Sequence, residues 1–316
     1  MEAPIRHIFD LHCDTLTVLA KRNVDLTDDK LHVCIDRLPK NYRLAQAMAI
    51  YMPDSLRGES AELYFENVHQ LFCAQMEKFR DRMSPVYDFS AIDDILSQKQ
   101  FAMMLTIEGG SALASKLENV ERFYNMGVRA MNLTWNAENE ICGGADCHDT
   151  GFSDFGRRVV SEMERVGMVV DVSHLSDVGF YQLLDFASRP FIASHSNSRS
   201  LCQHRRNLTD EMFMSIRDIG GIVGFLYYDV FVKDGGGATM DDIIRHVHHF
   251  LEIGGEKTLA LGTDHDGARQ PEYIVGLDKF EYLRERLLGS GIPEEISDDI
   301  LYRNARNFFK SYSKNK

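Results

Sequence analysis

Several things are scarce or missing in this chain of 316 residues, and each absence excludes a class of protein. No apolar run approaches the roughly 18 residues that a membrane-crossing helix needs, so no span is expected. The opening MEAPIRHIFD lacks the charged-then-apolar design of a signal peptide, and the closing FFKSYSKNK holds no lipid-anchor signal. Cytoplasm is the expected compartment. Basic residues are outnumbered, 35 Lys and Arg against 48 Asp and Glu, for a formal charge of −13. An acidic surface repels phosphate backbones, which argues against a nucleic-acid partner. The six cysteines include no CxxC pair. The stretch CGGADCH, 142–148, comes nearest to a zinc cluster, but its spacing and the lack of a second pair favour a loop with reduced thiols. No low-complexity segment, charge block or Pro/Gly-rich linker divides the chain, so residues 1–316 read as one domain.

What is present is an alternation of short apolar runs with longer amphipathic stretches, in a chain that is 44% hydrophobic and long enough for a large core. The candidate strands are 6–12, 44–51, 101–107, 128–134, 168–173, 190–194, 221–226 and 258–263. Helical patterns lie between them, clearest at 61–80, 153–166, 208–218, 240–253 and 277–288. In NMGVRAMNL, ERVGMVVDV and RDIGGIVGF a glycine follows a helical stretch and precedes a β-branched or apolar run, the signature of an αβ loop. Eight such runs predict a (β/α)8 TIM barrel, although a doubly wound open sheet would give the same alternation.

The barrel reading gains from where the unusual residues fall. Side chains two apart on a strand face the same way, so His12 and Asp14 of FDLHCDTL converge at one strand end. That pair alone decides nothing. Further along, FAMMLTIEGG ends near Glu108, MVVDVSH in His174, PFIASHS in His195 and LALGTDHDG in Asp264. In such barrels chemistry collects at the C-terminal strand ends. A strand-end histidine is usually a hydrogen-bonded rim residue, a reading that explains any one of these but not the set. Imidazoles and carboxylates without thiolate suit zinc, cobalt or manganese. Five ligands exceed what one catalytic zinc takes and suit two ions sharing Glu108, with His12 and Asp14 on one and His174 and His195 on the other. Two such ions hold a hydroxide near neutral pH, which suggests hydrolysis.

In order, DLHCDT, IEGG, VDVSH, ASHSNSR, RRNLTDE and LGTDHDG resemble the membrane dipeptidase (renal dipeptidase) family of zinc metallopeptidases, from near residue 5 to about 310. The resemblance implies a metal-dependent hydrolase barrel with two Zn2+ per chain, Glu108 bridging, and cleavage of dipeptides, including L-Xaa-D-Xaa in bacterial members. It implies His12 and Asp14 on one zinc and His174 and His195 on the other. It gives Asp264 as the acid/base that passes a proton to the leaving amine, and Arg206 as the clamp on the free carboxylate of the substrate. Homodimers are common in the family.

One departure stands out. Where several members read Leu-Thr-His, with the histidine credited with stabilising an oxyanion, this chain has LTW and Trp135. An indole N–H donates one hydrogen bond but cannot become cationic, so Trp135 is expected to shape the pocket while zinc carries more of the oxyanion. His265 reads as rim packing or an outer ligand, Tyr227 and Tyr228 as candidates for the pocket mouth, and Gly235–Gly237 as a hinge. His246 and His249, three apart on a helix, read as a solvated face. The rival functions are a related hydrolase of another amide or ester, such as an N-acyl amino acid or lactone, and a metal-binding relative without catalysis.

Overall fold

The expected alternation is realised in a computed structural model that describes residues 4–147 and 149–314. Its strands are β1 (Arg6–Asp10), β2 (Tyr42–Tyr51), β3 (Met83–Pro85), β4 (Phe101–Glu108), β5 (Val128–Asn132), β6 (Val169–Asp171), β7 (Val223–Phe225) and β8 (Leu259–Leu261). All the strand pairs are parallel, in the order β6-β5-β4-β2-β1-β8-β7, with β3 beside β4. The longest register pairs Leu44–Tyr51 with Phe101–Glu108. Both strands are nearly continuous apolar runs, as a parallel sheet covered on both faces requires.

The closed (β/α)8 TIM barrel is not formed. Between β6 and β7 the expected strand 190–194 makes only isolated bridges, Asp171 with Ile192 and Ala193 with Val223. Among the described residues no ladder joins the two edges, and the sheet is an open, curled half-barrel. Pro190 brings no N–H to this segment, and its apolar run yields after Ala193 to the polar Ser194, His195 and Ser196. β3 was not expected; it is three residues long and ends in proline.

The helices follow their sequence signals. Asp154–Val166 starts at Ser153, whose side chain accepts the Gly156 N–H, and ends at Gly167. Gly167 sits at φ +89°, which a residue with a Cβ rarely adopts, and returns the chain directly to β6. Valines 159, 160 and 166 and Met163 line its buried face. Among the described residues no helix is long and apolar enough to cross a membrane. His246 is not on a solvated face: it is buried, its Nδ1 accepts the Ser198 N–H at 3.1 Å, and its Nε2 bonds the Val232 carbonyl at 2.8 Å. The loops packed over the helix Met240–Glu252 cover a histidine that helical periodicity alone exposes. His249 is partly exposed and pairs with Asp210. Cys142 and Cys147 are free thiols, and His148 lies outside the described residues.

Candidate binuclear metal site

Four strand ends and the bridged segment 190–194 deliver the expected side chains to one buried point. His12 follows β1, Asp14 is the N-cap residue of the helix Thr15–Arg22, and Glu108 is the last residue of β4. His174 comes three residues after β6, His195 two after the Ala193 bridge, and Asp264 three after β8. All six are buried. His174 and Asp264 adopt φ +73° and +59°, left-handed backbone for residues that carry a Cβ.

The two oxygens of Glu108 face opposite ways. Oε1 lies 2.8 Å from His174 Nε2 and 3.5 Å from His195 Nε2, while Oε2 lies 3.7 Å from His12 Nε2. His12 Nε2 is also 3.4 Å from Asp14 Oδ2 and 4.0 Å from Asp264 Oδ1. Two overlapping triads therefore have ligand atoms within 4.8 Å of one another, His12 with Glu108 and His195, and His12 with Asp14 and Asp264. The second brings Asp264 to ligand distance as well, which the sequence-based expectation had kept for proton transfer alone.

These side chains fit a cation. His12 Nε2 and Asp14 Oδ1 are buried and have no hydrogen-bond partner. His174 Nδ1 donates to Asn136 Oδ1 at 2.8 Å, leaving a lone pair on Nε2. Burial opposes charge on His12, yet Glu108, Asp14 and Asp264 raise its pKa to about 10, so the site draws positive charge to that point. Burial and the neighbouring positive charges hold His174 and His195 well below the usual histidine range, as neutral imidazoles. Burial lifts Asp264 to about 7, with His12 and Arg206 opposing and Asp14 assisting. A set of histidines and carboxylates with no thiolate, spanned by Glu108, is the donor chemistry of a binuclear zinc centre.

The site opens into a cleft of about 640 Å³ lined by Tyr51, Trp135, Asp146, Arg206 and Tyr228 among others. Arg206 is buried; its Nη1 donates to Ser196 Oγ and its Nη2 to the His195 carbonyl, both at 2.9 Å, and its Nε has no partner. Burial lowers its pKa to about 10, which leaves it cationic at neutral pH. Trp135 stands edge-on to Tyr51 with ring centroids 5.1 Å apart, and 6.1 Å from His174. Tyr228 lines the cleft, whereas Tyr227 is buried away from it. His265 is buried and hydrogen-bonded to Gln270, outside both triads.

Some residues at the site were not anticipated. Asn136 and Ser194 orient His174 and His195 through their Nδ1 atoms, at 2.8 and 2.7 Å. Gly267 is a close approach: a Cβ there would stand 2.0 Å from Asp14 Oδ2 and 2.5 Å from Asp264 Oδ1. A glycine directly after DHD was the available signal.

Residues 5–315 match the family model described as membrane dipeptidase (peptidase family M19). An uncharacterized protein from the pqqA 5′ region of Klebsiella pneumoniae is 31% identical over 67% of this chain and 83% of its own length. An uncharacterized dipeptidase of Schizosaccharomyces pombe is 32% identical over 60% of this chain, which spans about half (48%) of that relative. Among solved structures, a metallo peptidase from Rhodobacter sphaeroides with a bound phosphinate mimic of the dipeptide L-Ala-D-Ala superposes with a TM-score of 0.91. The match covers 98% of this chain and 99% of that one at 22% identity, a likeness of fold. With its model matched almost end to end and its metal-type side chains gathered at the strand ends, this chain belongs to the membrane dipeptidase family, peptidase family M19.

Proposed function

We propose that the protein is a zinc-dependent dipeptidase in which His12 and Asp14 hold one ion, His174 and His195 the other, and Glu108 bridges them. The observation that carries this reading is the orientation of Glu108, one oxygen toward His174 and His195 and the other toward His12. Held by these residues, a zinc pair would supply a water activated at neutral pH and a Lewis acid for the scissile carbonyl. The remaining work falls to the chain. Arg206, cationic at the wall of the cleft, takes the free carboxylate of the substrate and so favours a dipeptide over an internal peptide bond. Asp264, whose Oδ1 stands 4.0 Å from His12 Nε2 at the floor of the cleft, is placed to take a proton from the attacking water and hand it to the departing amino group. Trp135 and Tyr51 form an aromatic wall that limits water and shapes the side-chain subsite.

The solved relative that binds an L-Ala-D-Ala mimic supports extending the substrate range to a C-terminal D-residue. A formal charge of −13 supports action on small molecules without a nucleic-acid partner, and we place that action in the cytoplasm. The 316 residues act as one catalytic domain, and the family resemblance supports a homodimer. A panel of L-L and L-D dipeptides, assayed with zinc and beside the same peptides amidated at the C-terminus, tests the reading. Cleavage of the free acids with amides refused is expected. Equal turnover of the amides, or hydrolysis confined to esters and lactones, would overturn it.

A further inference from the structure

Strand pairing is thinnest where the site needs it most. β1 and β8 share one register pair, Asp10 opposite Leu261, and β6 meets segment 190–194 through one bridge, Asp171 opposite Ile192. At both places an aspartate occupies the last position of the strand, and its carboxylate carries the pairing one step further, in the first case toward the isolated Cys13–His265 bridge. Asp10 Oδ1 accepts the N–H of His12 at 3.3 Å and of Thr263 at 2.8 Å. Asp171 Oδ1 accepts the N–H of Ser173 at 3.0 Å and of Ser194 at 3.0 Å. In each case one oxygen takes an amide two residues ahead on its own strand and another two residues ahead on the partner. A site residue stands at or directly after every one of those amides: His12 and Asp264 for Asp10, His174 and His195 for Asp171.

The two arrangements are equivalent and independent. Asp10 Oδ2 further accepts from Thr263 Oγ1 at 2.6 Å, and Ser173 Oγ accepts the His195 N–H at 3.0 Å. Both aspartates are buried, and neither lines the cleft. Backbone amides bonded to a carboxylate are held more firmly than amides paired with a carbonyl. Here they belong to turns that leave the sheet, where isolated backbone bonds such as Asp264 N–H to the His12 carbonyl at 3.2 Å take the place of a continuous ladder.

We propose that Asp10 and Asp171 are paired positioning residues, each fixing the separation of two side chains of the metal site. Asp10 sets His12 against Asp264, and Asp171 sets His174 against His195. This rests on the reading above, in which His12, His174 and His195 hold two ions and Asp264 moves the proton beside them. An outer group that orients a ligand typically contributes tenfold to a hundredfold in metal affinity.

The test is zinc titration of the metal-stripped full chain against a chromophoric chelator, for the wild type and for Asp10→Ala, Asp171→Ala and the matching Asn variants. Each Ala variant should weaken one of the two zinc affinities by about tenfold to a hundredfold and leave the other within a few-fold. Asn keeps an acceptor oxygen where both amides converge, so the Asn variants should recover most of the lost affinity. In turnover, the Ala variants should lose kcat more than KM. Should an Ala variant fail to fold, Asp→Ser at the same position decides, since its shorter hydroxyl cannot span both amides; it should weaken the same zinc site. Variants with lowered thermal stability but two wild-type zinc affinities would overturn the proposal. A wild type that binds fewer than two zinc ions would instead overturn the two-ion reading.

Discussion

The Nε2 atoms of His174 and His195 face each other at 3.1 Å, while the opposite nitrogen of each ring is bonded to Asn136 or Ser194. Two neutral imidazoles turned this way, with the carboxyl group of Glu108 at 2.8 Å from one of them, gather donor atoms that a shared cation would bind together.

Removing zinc should therefore cost stability as well as activity. A chelator should abolish dipeptide cleavage, and zinc restored at a thousandfold over its Kd should add about 4 kcal/mol to unfolding. Calorimetry of the stripped and reloaded protein measures this. No change in Tm on reloading would count against a metal held by these side chains.

Arg206→Ala should raise KM for a free dipeptide by roughly 30- to 150-fold, the equivalent of about 2–3 kcal/mol for a lost charge-assisted hydrogen bond. Because Arg206 also holds Ser196 and the His195 carbonyl, a smaller fall in kcat should accompany it. The discriminating measurement is the ratio of free-acid to amide turnover, which should collapse toward one. A variant that keeps the wild-type ratio would remove Arg206 from carboxylate recognition.

Gly267→Ala should leave the fold intact and cripple the site. Its Cβ would fall 2.0 Å from Asp14 Oδ2, so the carboxylate must move by an ångström or more. Displacements of that size cost about a hundredfold in rate. Circular dichroism with a kcat measurement checks both halves, and wild-type kcat would show that the loop yields without effect.

Burial lowers the pKa of His246 to about 4, against the Val232 carbonyl bond that raises it, with His249 and Arg245 adding to the fall. A histidine with a depressed folded pKa gives stability that is fully present above its ordinary 6.5 and lost as pH drops toward 4. That difference is worth about 3 kcal/mol. His246→Gln, which has a donor and an acceptor but no titration, should lose less Tm than the wild type between pH 6.5 and 4. Parallel acid profiles for the two proteins would refute this.

The site was more legible in the sequence than the fold that holds it. His12, Glu108, His174, His195 and Asp264 could be read because each is a metal-type side chain just beyond an apolar run, and parallel strands must bring such ends together. The closure of the sheet could not be read. PFIAS has the composition of a buried strand, and only the register of its neighbours decides that Ile192 and Ala193 form single bridges instead of a ladder. Asp10 and Asp171 escaped for a related reason. An aspartate two residues before a loop amide is an ordinary turn former, and nothing local shows that the same oxygen also reaches a strand more than twenty residues away in one case and 253 in the other. His246 was misplaced because helix periodicity reports one helix and not the loop laid over it.

The left-handed backbone at His174 and Asp264 carries an evolutionary consequence. Each such conformation costs on the order of 1 kcal/mol or more, which glycine would not incur. Replacing either side chain with glycine would relieve that strain and unburden the interior of a polar group, giving a sturdier apo-protein that does nothing. Selection for robustness alone would erode both positions, so a lineage that kept them would be one in which turnover, and not sturdiness, is selected.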